Sequence, residues 1–219
     1  MRYENFKENQ CFYLTNRGAN GAAIFLDKED KARFMFLITH FQSPTRIYNV
    51  SWYTQSFTKN NALRTNESRI KKVLKNRSVE LLAFSITDSH FHLLVRNLEE
   101  GTLSVYMHRI LTAYSKYFNS KYSKKGHVFD GPFKAASIKN NEELENVSVY
   151  IHRLANEEGL KDTYEDHPYS SYRDYIGTNR WNDLLLTEEI LKRFKNQAAY
   201  RNFVETYKDN GLKPPLQSK

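Results

Sequence analysis

One apolar run of the chain contains two histidines that flank a single bulky residue, His90-Phe91-His92. The surrounding segment, 81–95, otherwise has the composition of a buried β-strand. Because successive side chains of a strand point to opposite faces, both histidines lie on one face and Phe91 lies on the other. Two imidazoles about 7 Å apart on a rigid strand can bind one metal ion. The competing interpretation is a pair of ordinary core or surface histidines, although two polar rings in an apolar strand need a partner.

Hydrophobic periodicity on either side of the triplet predicts an α+β fold. The predicted elements, in chain order, are a strand at 11–15, a helix that Asp27 caps, an adjacent antiparallel pair of strands at 79–87 and 90–96, a helix at 103–122, a strand at 133–138, and a helix that Asn140 or Asn141 caps and that ends near Asn156. Residues 87–89 are either the tight turn of that pair or a bend in one long strand. This order is that of a ferredoxin-like or RRM-like antiparallel sheet with helices on one face. We therefore expect one domain at 1–177, with an insertion at about 45–78, and a C-terminal helical tail at 178–219.

The charge of the chain indicates a polyanionic partner. Its formal net charge is +8 and its pI is near 9.4, and no apolar run has the length of a membrane-spanning helix. A single cysteine and an amino terminus without an apolar signal favour a reducing cytoplasmic location. Nucleic acid is the predicted partner, and each basic residue is either a phosphate contact or part of a solvated surface. The candidate contacts are Arg17, Lys71, Lys72, Lys75, Lys121, Lys124, Lys125 and Lys134.

Together, several short motifs in a fixed order resemble the HUH single-strand tyrosine transposases. The chain is most similar to their REP-associated, IS200-like branch, and the resemblance covers residues 11–177 apart from the insertion. The motifs are His90-Phe91-His92, Phe12-Tyr13-Leu14-Thr15-Asn16-Arg17-Gly18, Tyr114-Ser115-Lys116-Tyr117-Phe118-Asn119, Gly126-His127-Val128-Phe129-Asp130-Gly131-Pro132-Phe133-Lys134, Tyr150-Ile151-His152 and His167-Pro168-Tyr169-Ser170-Ser171-Tyr172-Arg173. The resemblance implies cleavage and rejoining of single-stranded or hairpin DNA through a 5′-phosphotyrosine. It also makes a second copy of the chain a candidate partner, because family members often dimerise.

Two tyrosines compete for the role of nucleophile. Tyr114 lies within the densest apolar stripe of its predicted helix, so core packing explains it. Tyr150 lies about 80° from the centre of its own helix's apolar stripe, where a ring can be held while its hydroxyl emerges. The resemblance also points to Tyr150, because the family's nucleophile stands in a Tyr-Ile-x-x-Asn pattern after the last strand. We predict Tyr150 as the catalytic residue, with Tyr114 as the alternative. Packing of an amphipathic ring in the core would also explain either tyrosine without a catalytic role.

A divalent ion on His90 and His92 would neutralise part of the charge on the attacked phosphate. Imidazole together with phosphate and water oxygens favours Mg²⁺ or Mn²⁺, although histidine alone would also accept Zn²⁺ or Ni²⁺. We therefore predict Mg²⁺ or Mn²⁺ as the cofactor.

The chain departs from the family pattern at several positions. Leu154 stands where the family has an asparagine that joins the metal, and it offers no lone pair. Asn156 or His152 would replace that ligand only on a rotated or irregular helix. Ser89 replaces the family's Asn before the first histidine, and Pro132 replaces an Arg. These departures leave a second hypothesis open, a catalytically impaired, domesticated DNA-hairpin-binding protein of the same fold. A third hypothesis, independent of them, is an RRM-like RNA binder with coincidental histidines.

Overall fold

A computed structural model describes residues 6–60, 66–157 and 167–207, with the backbone alone at 58–60 and 155–157. The strands are β1 (Cys11–Arg17), β2 (Val79–Ile86), β3 (His90–Asn97) and β4 (Lys134–Ser137). The helices are α1 (Lys28–His40), α2 (Val50–Asn60), α3 (Glu67–Lys75), α4 (Thr102–Lys121), α5 (Asn141–Glu157), α6 (Tyr172–Ile176), α7 (Glu188–Leu191) and α8 (Gln197–Thr206). Short 3-10 helices occur at Ala19–Gly21 and Asn182–Leu184.

The four strands form one antiparallel sheet in the order β2-β3-β1-β4. β2 and β3 form a hairpin around the turn at 87–89, as predicted. β1 and β3 occupy the centre, paired from Cys11 opposite Arg96 to Arg17 opposite His90. Placing the first and third strands side by side in the middle is the ferredoxin-like arrangement. The predicted α+β class is therefore confirmed, and the strand that carries the histidines is hydrogen-bonded on both sides.

Helices α1 and α4 cover the first face of the sheet, which buries Phe91. The ring of Phe34 on α1 lies 4.7 Å from that of Phe91 and 5.2 Å from that of Tyr114 on α4. The carboxylate of Asp27 accepts a hydrogen bond from the backbone N–H of Asp30 and caps α1, as the sequence predicts. This face forms a dense apolar core that holds β3 in place from the side opposite the histidines.

The predicted insertion adds α2 and α3 to the same side of the molecule. The rings of Phe36 on α1 and Tyr53 on α2 stack 5.3 Å apart, and Val73 of α3 is buried in the same core. The basic segment of the insertion forms α3, and Asn66 caps it. Residues 61–65 lie outside the described part of the chain.

Helix α5 and the tail cover the second face of the sheet. Tyr13 and Leu94 of the sheet share a core with Val147 and Ile151 of α5 and with Tyr200 of α8. The tail therefore joins the domain's core rather than extending from it, while residues 208–219 lie outside the described residues. In the described ranges, no helix combines the length and apolarity needed to cross a membrane.

Candidate active site

The two histidines of β3 face α5, on the second side of the sheet. Their ring centroids lie 4.9 Å apart with the planes nearly perpendicular. A hydrogen bond of 3.0 Å joins His90 Nδ1 to the hydroxyl of Ser89. Ser89 thus orients the first imidazole and takes the place of the asparagine that the resemblance led us to expect there.

His92 is the more enclosed of the pair. Burial holds the pKa of His92 well below its usual range, and the neighbouring His90 lowers it further. A neutral imidazole is the form that binds metal ions. Its Nε2 atom is buried and has no hydrogen-bond partner among the described residues. A buried nitrogen in that state is costly unless something binds it.

Tyr13 of β1 holds the other nitrogen of His92. A short hydrogen bond joins the Tyr13 hydroxyl to His92 Nδ1, and the two rings stack with centroids 5.7 Å apart. Burial raises the pKa of the Tyr13 phenol, and a hydrogen bond with the side chain of Tyr150 raises it further. One fully buried hydroxyl therefore connects the histidine pair to helix α5.

Helix α5 brings Tyr150 to the same place. Its ring lies edge-on to His92 with centroids 5.8 Å apart, and edge-on to Tyr13 with centroids 6.0 Å apart. Tyr150 is half-buried, whereas Leu144, Val147, Ile151 and Leu154 are buried. This is the position at the edge of the apolar stripe that the helical period predicts. The structure thus brings together His90, His92 and Tyr150 from two separate elements.

Tyr114, the alternative nucleophile, is fully buried on the opposite side of the sheet. Its hydroxyl donates a 2.5 Å hydrogen bond to the carbonyl of Ile24, and burial raises the pKa of its phenol. The surroundings are those of a core tyrosine, as its stripe position suggested.

The site fits a divalent ion through two nitrogen donors. His90 and His92 share one face, and a cation on Nε2 of His92 would satisfy an otherwise unpartnered buried atom. Leu154 is 4% exposed and contributes no donor. Within the described ranges, no group of three or more His, Cys, Asp or Glu side chains is arranged to hold a metal. The remaining ligands of an ion here would therefore be oxygens of phosphate and water.

Neither proposed substitute for the third ligand adds a donor among the described side chains. His152 donates or accepts through both ring nitrogens, with the Tyr200 hydroxyl at 2.7 Å and the Ser171 hydroxyl at 2.8 Å. Burial lowers the pKa of His152 to about 3, so it is a neutral structural residue. The side chain of Asn156 lies outside the described residues.

A second unpartnered polar atom lies next to His92 in the sheet. Ser85 of β2 stands directly opposite His92, and directly opposed side chains share a face. The hydroxyl of Ser85 is buried and, like His92 Nε2, has no hydrogen-bond partner in the described part of the chain. Two neighbouring strands, β2 and β3, therefore each place one unpartnered polar atom on the same face.

Of the predicted DNA contacts, Arg17 and Lys134 share the histidine face. Arg17 pairs with His90, and Lys134 pairs with Thr15, which in turn pairs with His92. Arg17 is 63% exposed in its side chain and forms a 2.8 Å ion pair with Asp130, and Lys134 is exposed. Two cationic side chains therefore lie on the histidine face, one on the neighbouring strand β1 and one on the next strand, β4.

The other predicted contacts lie elsewhere. Lys71, Lys72 and Lys75 are exposed on α3, and Lys124 and Lys125 are exposed after α4. Lys121 differs, because its ammonium forms ion pairs with Asp27, Glu29 and Asp30 at 2.7–3.3 Å. These carboxylates raise the pKa of Lys121 despite its partial burial. Lys121 ties α4 to the start of α1.

Sequence reasoning did not identify Tyr13 or Ser85 as part of the site. Tyr13, Thr15 and Arg17 alternate along β1, so the sequence does indicate that they share a face. Which strands they lie between depends on pairings across 79 residues of chain, and neither spacing nor composition encodes that pairing.

Comparison with known proteins identifies the fold and the family of the chain. A solved structure of a REP-associated tyrosine transposase bound to a REP hairpin superposes with a TM-score of 0.53 at 16% identity, over 80% of this chain and 84% of that chain. At that identity the likeness shows the fold. No match to a curated protein sequence was found. Residues 41–154, a little over half of the 219 residues, match the model of the family described as transposase IS200 like. The chain belongs to the IS200-like transposase family.

Proposed function

We propose that this transposase cleaves and rejoins single-stranded or hairpin DNA through Tyr150, with His90 and His92 holding a divalent ion. The observation that carries the proposal is the packing of Tyr150 against His92, with ring centroids 5.8 Å apart. A phenol on a helix and two imidazoles on a strand meet there without sequence proximity. Membership of a transposase family supports DNA as the substrate. We propose that the protein acts in the cytoplasm, where it would encounter such DNA.

In the proposed reaction the Tyr150 oxygen attacks a phosphodiester phosphorus. The new bond is a 5′-phosphotyrosine, the phosphorus–O3′ bond breaks, the phenolic proton leaves to solvent, and the released 3′-oxygen takes up a proton. Attack by a 3′-hydroxyl on the phosphotyrosine reverses the step and rejoins DNA. The covalent bond conserves the energy of the phosphodiester, so no nucleotide cofactor is required.

The charge of the attacked phosphate must be offset, because an anionic nucleophile is otherwise repelled. A bound Mg²⁺ or Mn²⁺ would supply Lewis-acid stabilisation of that charge. His90 and His92 would hold the ion, and the Ser89 hydroxyl would keep the first imidazole in place. Arg17 and Lys134 lie on the same face and are the proposed phosphate contacts nearest the reacting group.

DNA hairpins are the proposed substrate class. The solved relative was determined bound to a REP hairpin, and this chain shares its fold. The exposed lysines of α3, together with Lys124 and Lys125, would extend the positive surface to phosphates outside the cleavage site. Such contacts add affinity and carry no sequence information.

The second candidate function is hairpin binding without turnover, in a domesticated protein of the same fold. Leu154 favours it, because a buried hydrocarbon stands one helical turn beyond Tyr150, where the resemblance implies an amide ligand. Two imidazoles alone hold a Mg²⁺ or Mn²⁺ ion weakly, since these ions prefer oxygen ligands.

The deciding experiment incubates the full chain with labelled hairpin oligonucleotides and Mg²⁺ or Mn²⁺ and looks for a covalent adduct on a denaturing gel. We expect an adduct with the native protein, none with Tyr150→Phe, and an undiminished amount with Tyr114→Phe. Both variants remove one hydroxyl and keep the ring, so they form a matched pair.

Adduct formation that survives Tyr150→Phe would contradict the assignment of the nucleophile. Hairpin binding that is insensitive to His90→Ala and to a chelator, with no adduct from any protein, would establish the binding function instead. In that case Leu154→Asn is the informative variant, because it restores the amide that the family pattern contains.

A further inference from the structure

The Tyr13 hydroxyl is a buried polar group between two functional side chains. It is hydrogen-bonded to His92 Nδ1 on one side, and on the other the Tyr13 ring lies edge-on to that of Tyr150 with centroids 6.0 Å apart, so that the two hydroxyls interact. Tyr13 is 0% exposed and is otherwise packed among apolar residues of the second face. A phenylalanine would fill the same space without the cost of burying a hydroxyl. The hydroxyl therefore calls for a reason beyond packing.

A proton count limits what this hydroxyl can do. A phenol carries one proton, so Tyr13 can donate to only one of its two neighbours and must accept from the other. If Tyr13 donates to His92 Nδ1, the imidazole proton lies on Nε2, which is buried and has no acceptor among the described residues. That arrangement leaves a buried N–H unsatisfied.

In the opposite arrangement the unpartnered atom is a lone pair, which a cation or a hydrogen-bond donor can satisfy, instead of an N–H without an acceptor. His92 then donates its Nδ1–H to the Tyr13 oxygen, and the Tyr13 O–H points at the oxygen of Tyr150. Nε2 becomes a bare lone pair on the face shared with His90. The same hydrogen-bond direction therefore prepares His92 as a ligand and places a donor on the oxygen of Tyr150.

We propose that Tyr13 is a positioning residue that holds His92 as its Nδ1–H tautomer and directs its own O–H to the Tyr150 oxygen. The proposal rests on the function proposed above and connects the metal-binding histidine to the tyrosine nucleophile. A hydroxyl that donates to the Tyr150 oxygen stabilises negative charge there as the phenol loses its proton. A cation or a hydrogen-bond donor on Nε2 of His92 would fix this direction, because the imidazole proton then has only Nδ1.

The test compares the native protein with Tyr13→Phe. The first readout is the nitrogen-15 NMR spectrum of the histidine side chains in metal-free protein, which reports the tautomer of His92 without requiring cleavage. We expect the Nδ1–H tautomer in the native protein and a shift toward Nε2–H in Tyr13→Phe. The second readout is the rate of adduct formation at saturating DNA, which should fall about 10-fold or more, as for the loss of a hydrogen bond to a charged group. The DNA concentration at half-maximal rate should stay unchanged.

Tyr106→Phe is the matched control. Tyr106 is also buried, and its hydroxyl donates a 2.7 Å hydrogen bond to the carbonyl of Ile38 on the other side of the sheet. Tyr13→Phe and Tyr106→Phe each remove a buried hydrogen bond, so we expect both to lose stability. Tyr106→Phe should keep the native adduct rate. A fall in rate that Tyr106→Phe shares would assign Tyr13 to stability alone and overturn the proposal.

The NMR readout separates this proposal from the proposed function. Nε2–H as the main tautomer in the native protein would refute the role of Tyr13 even if Tyr150 forms adducts. Failure of every protein to form an adduct would refute the function, while the tautomer of His92 would still decide whether Tyr13 positions it.

Discussion

Gly18 shows how a single residue positions the site through the space it leaves empty. Its φ of −63° is open to any residue, but a Cβ there would lie 2.0 Å from the carbonyl oxygen of Ala22. The backbone N–H of Gly18 donates a 2.8 Å hydrogen bond to the carbonyl of Ser89, whose side chain orients His90. We predict that Gly18→Ala destabilises the protein by about 1–3 kcal/mol, the usual cost of overpacking, as measured by urea unfolding.

Gly21→Ala is the comparison for that prediction. Gly21 has a positive φ of 73°, and the space around an added Cβ is open. It should cost only the backbone penalty of about 1 kcal/mol and leave adduct formation unchanged. Equal stability of the Gly18→Ala variant and the native protein would contradict the prediction, because it would mean that the backbone at Ala22 moves away from the added methyl group at little cost.

At the scale of elements, α5 is held between the sheet and the tail by a buried polar cluster. The Tyr200 hydroxyl of α8 lies 2.7 Å from His152 Nδ1 and 3.0 Å from the Ser148 hydroxyl, both on α5. We predict that Tyr200→Phe lowers the free energy of unfolding by about 1–3 kcal/mol, because two buried groups lose a partner. Equilibrium unfolding in urea measures the change.

Tyr207→Phe removes a hydroxyl from the same region as a control. That hydroxyl contacts Asn146 of α5 at 3.1 Å in a half-buried position, where water can replace it. A loss as large as that of Tyr200→Phe would mean that burial of the cluster is not what stabilises α5.

Elements with local patterns were predictable, whereas contacts between them were not. The β2–β3 hairpin, the stripe of α4 and the caps Asp27 and Asn140 follow from nearby residues, and the structure confirms them. Burial of His152 on α5 was not predictable, because it depends on a helix that begins more than 40 residues later. The Tyr13 contact and the ion pairs of Lys121 likewise depend on pairing across the whole chain.

The distribution of the +8 net charge over the protein determines which basic side chains contribute to DNA affinity. Arg17 and Lys134 lie on the histidine face, whereas Lys121 is neutralised by three carboxylates. We predict that Arg17→Gln and Lys134→Gln each reduce the slope of log affinity for hairpin DNA against log salt by about 1. Fluorescence anisotropy at several salt concentrations measures this slope.

Lys121→Gln is the counterpart within the same set of basic residues. It removes an equal charge but should leave the salt slope unchanged, since its half-buried ammonium is held by Asp27 and by the buried Asp30. The ion pair of Arg17 with Asp130 is exposed instead, so a phosphate can compete for that guanidinium. A slope that falls by the same amount in all three variants would indicate general attraction to the net charge instead of contacts at the site.

The central position of β3 has a consequence for how the molecule opens. Its backbone is hydrogen-bonded to β1 and β2 along most of its length, so His90 and His92 belong to the part expected to exchange its amide protons last. Helix α5 joins the sheet through side chains, principally the core around Tyr13 and Leu94. We therefore expect that any local opening that separates Tyr150 from the histidines occurs by movement of α5 while the sheet stays intact, so that access of a DNA strand to the site would not require unfolding of the protein.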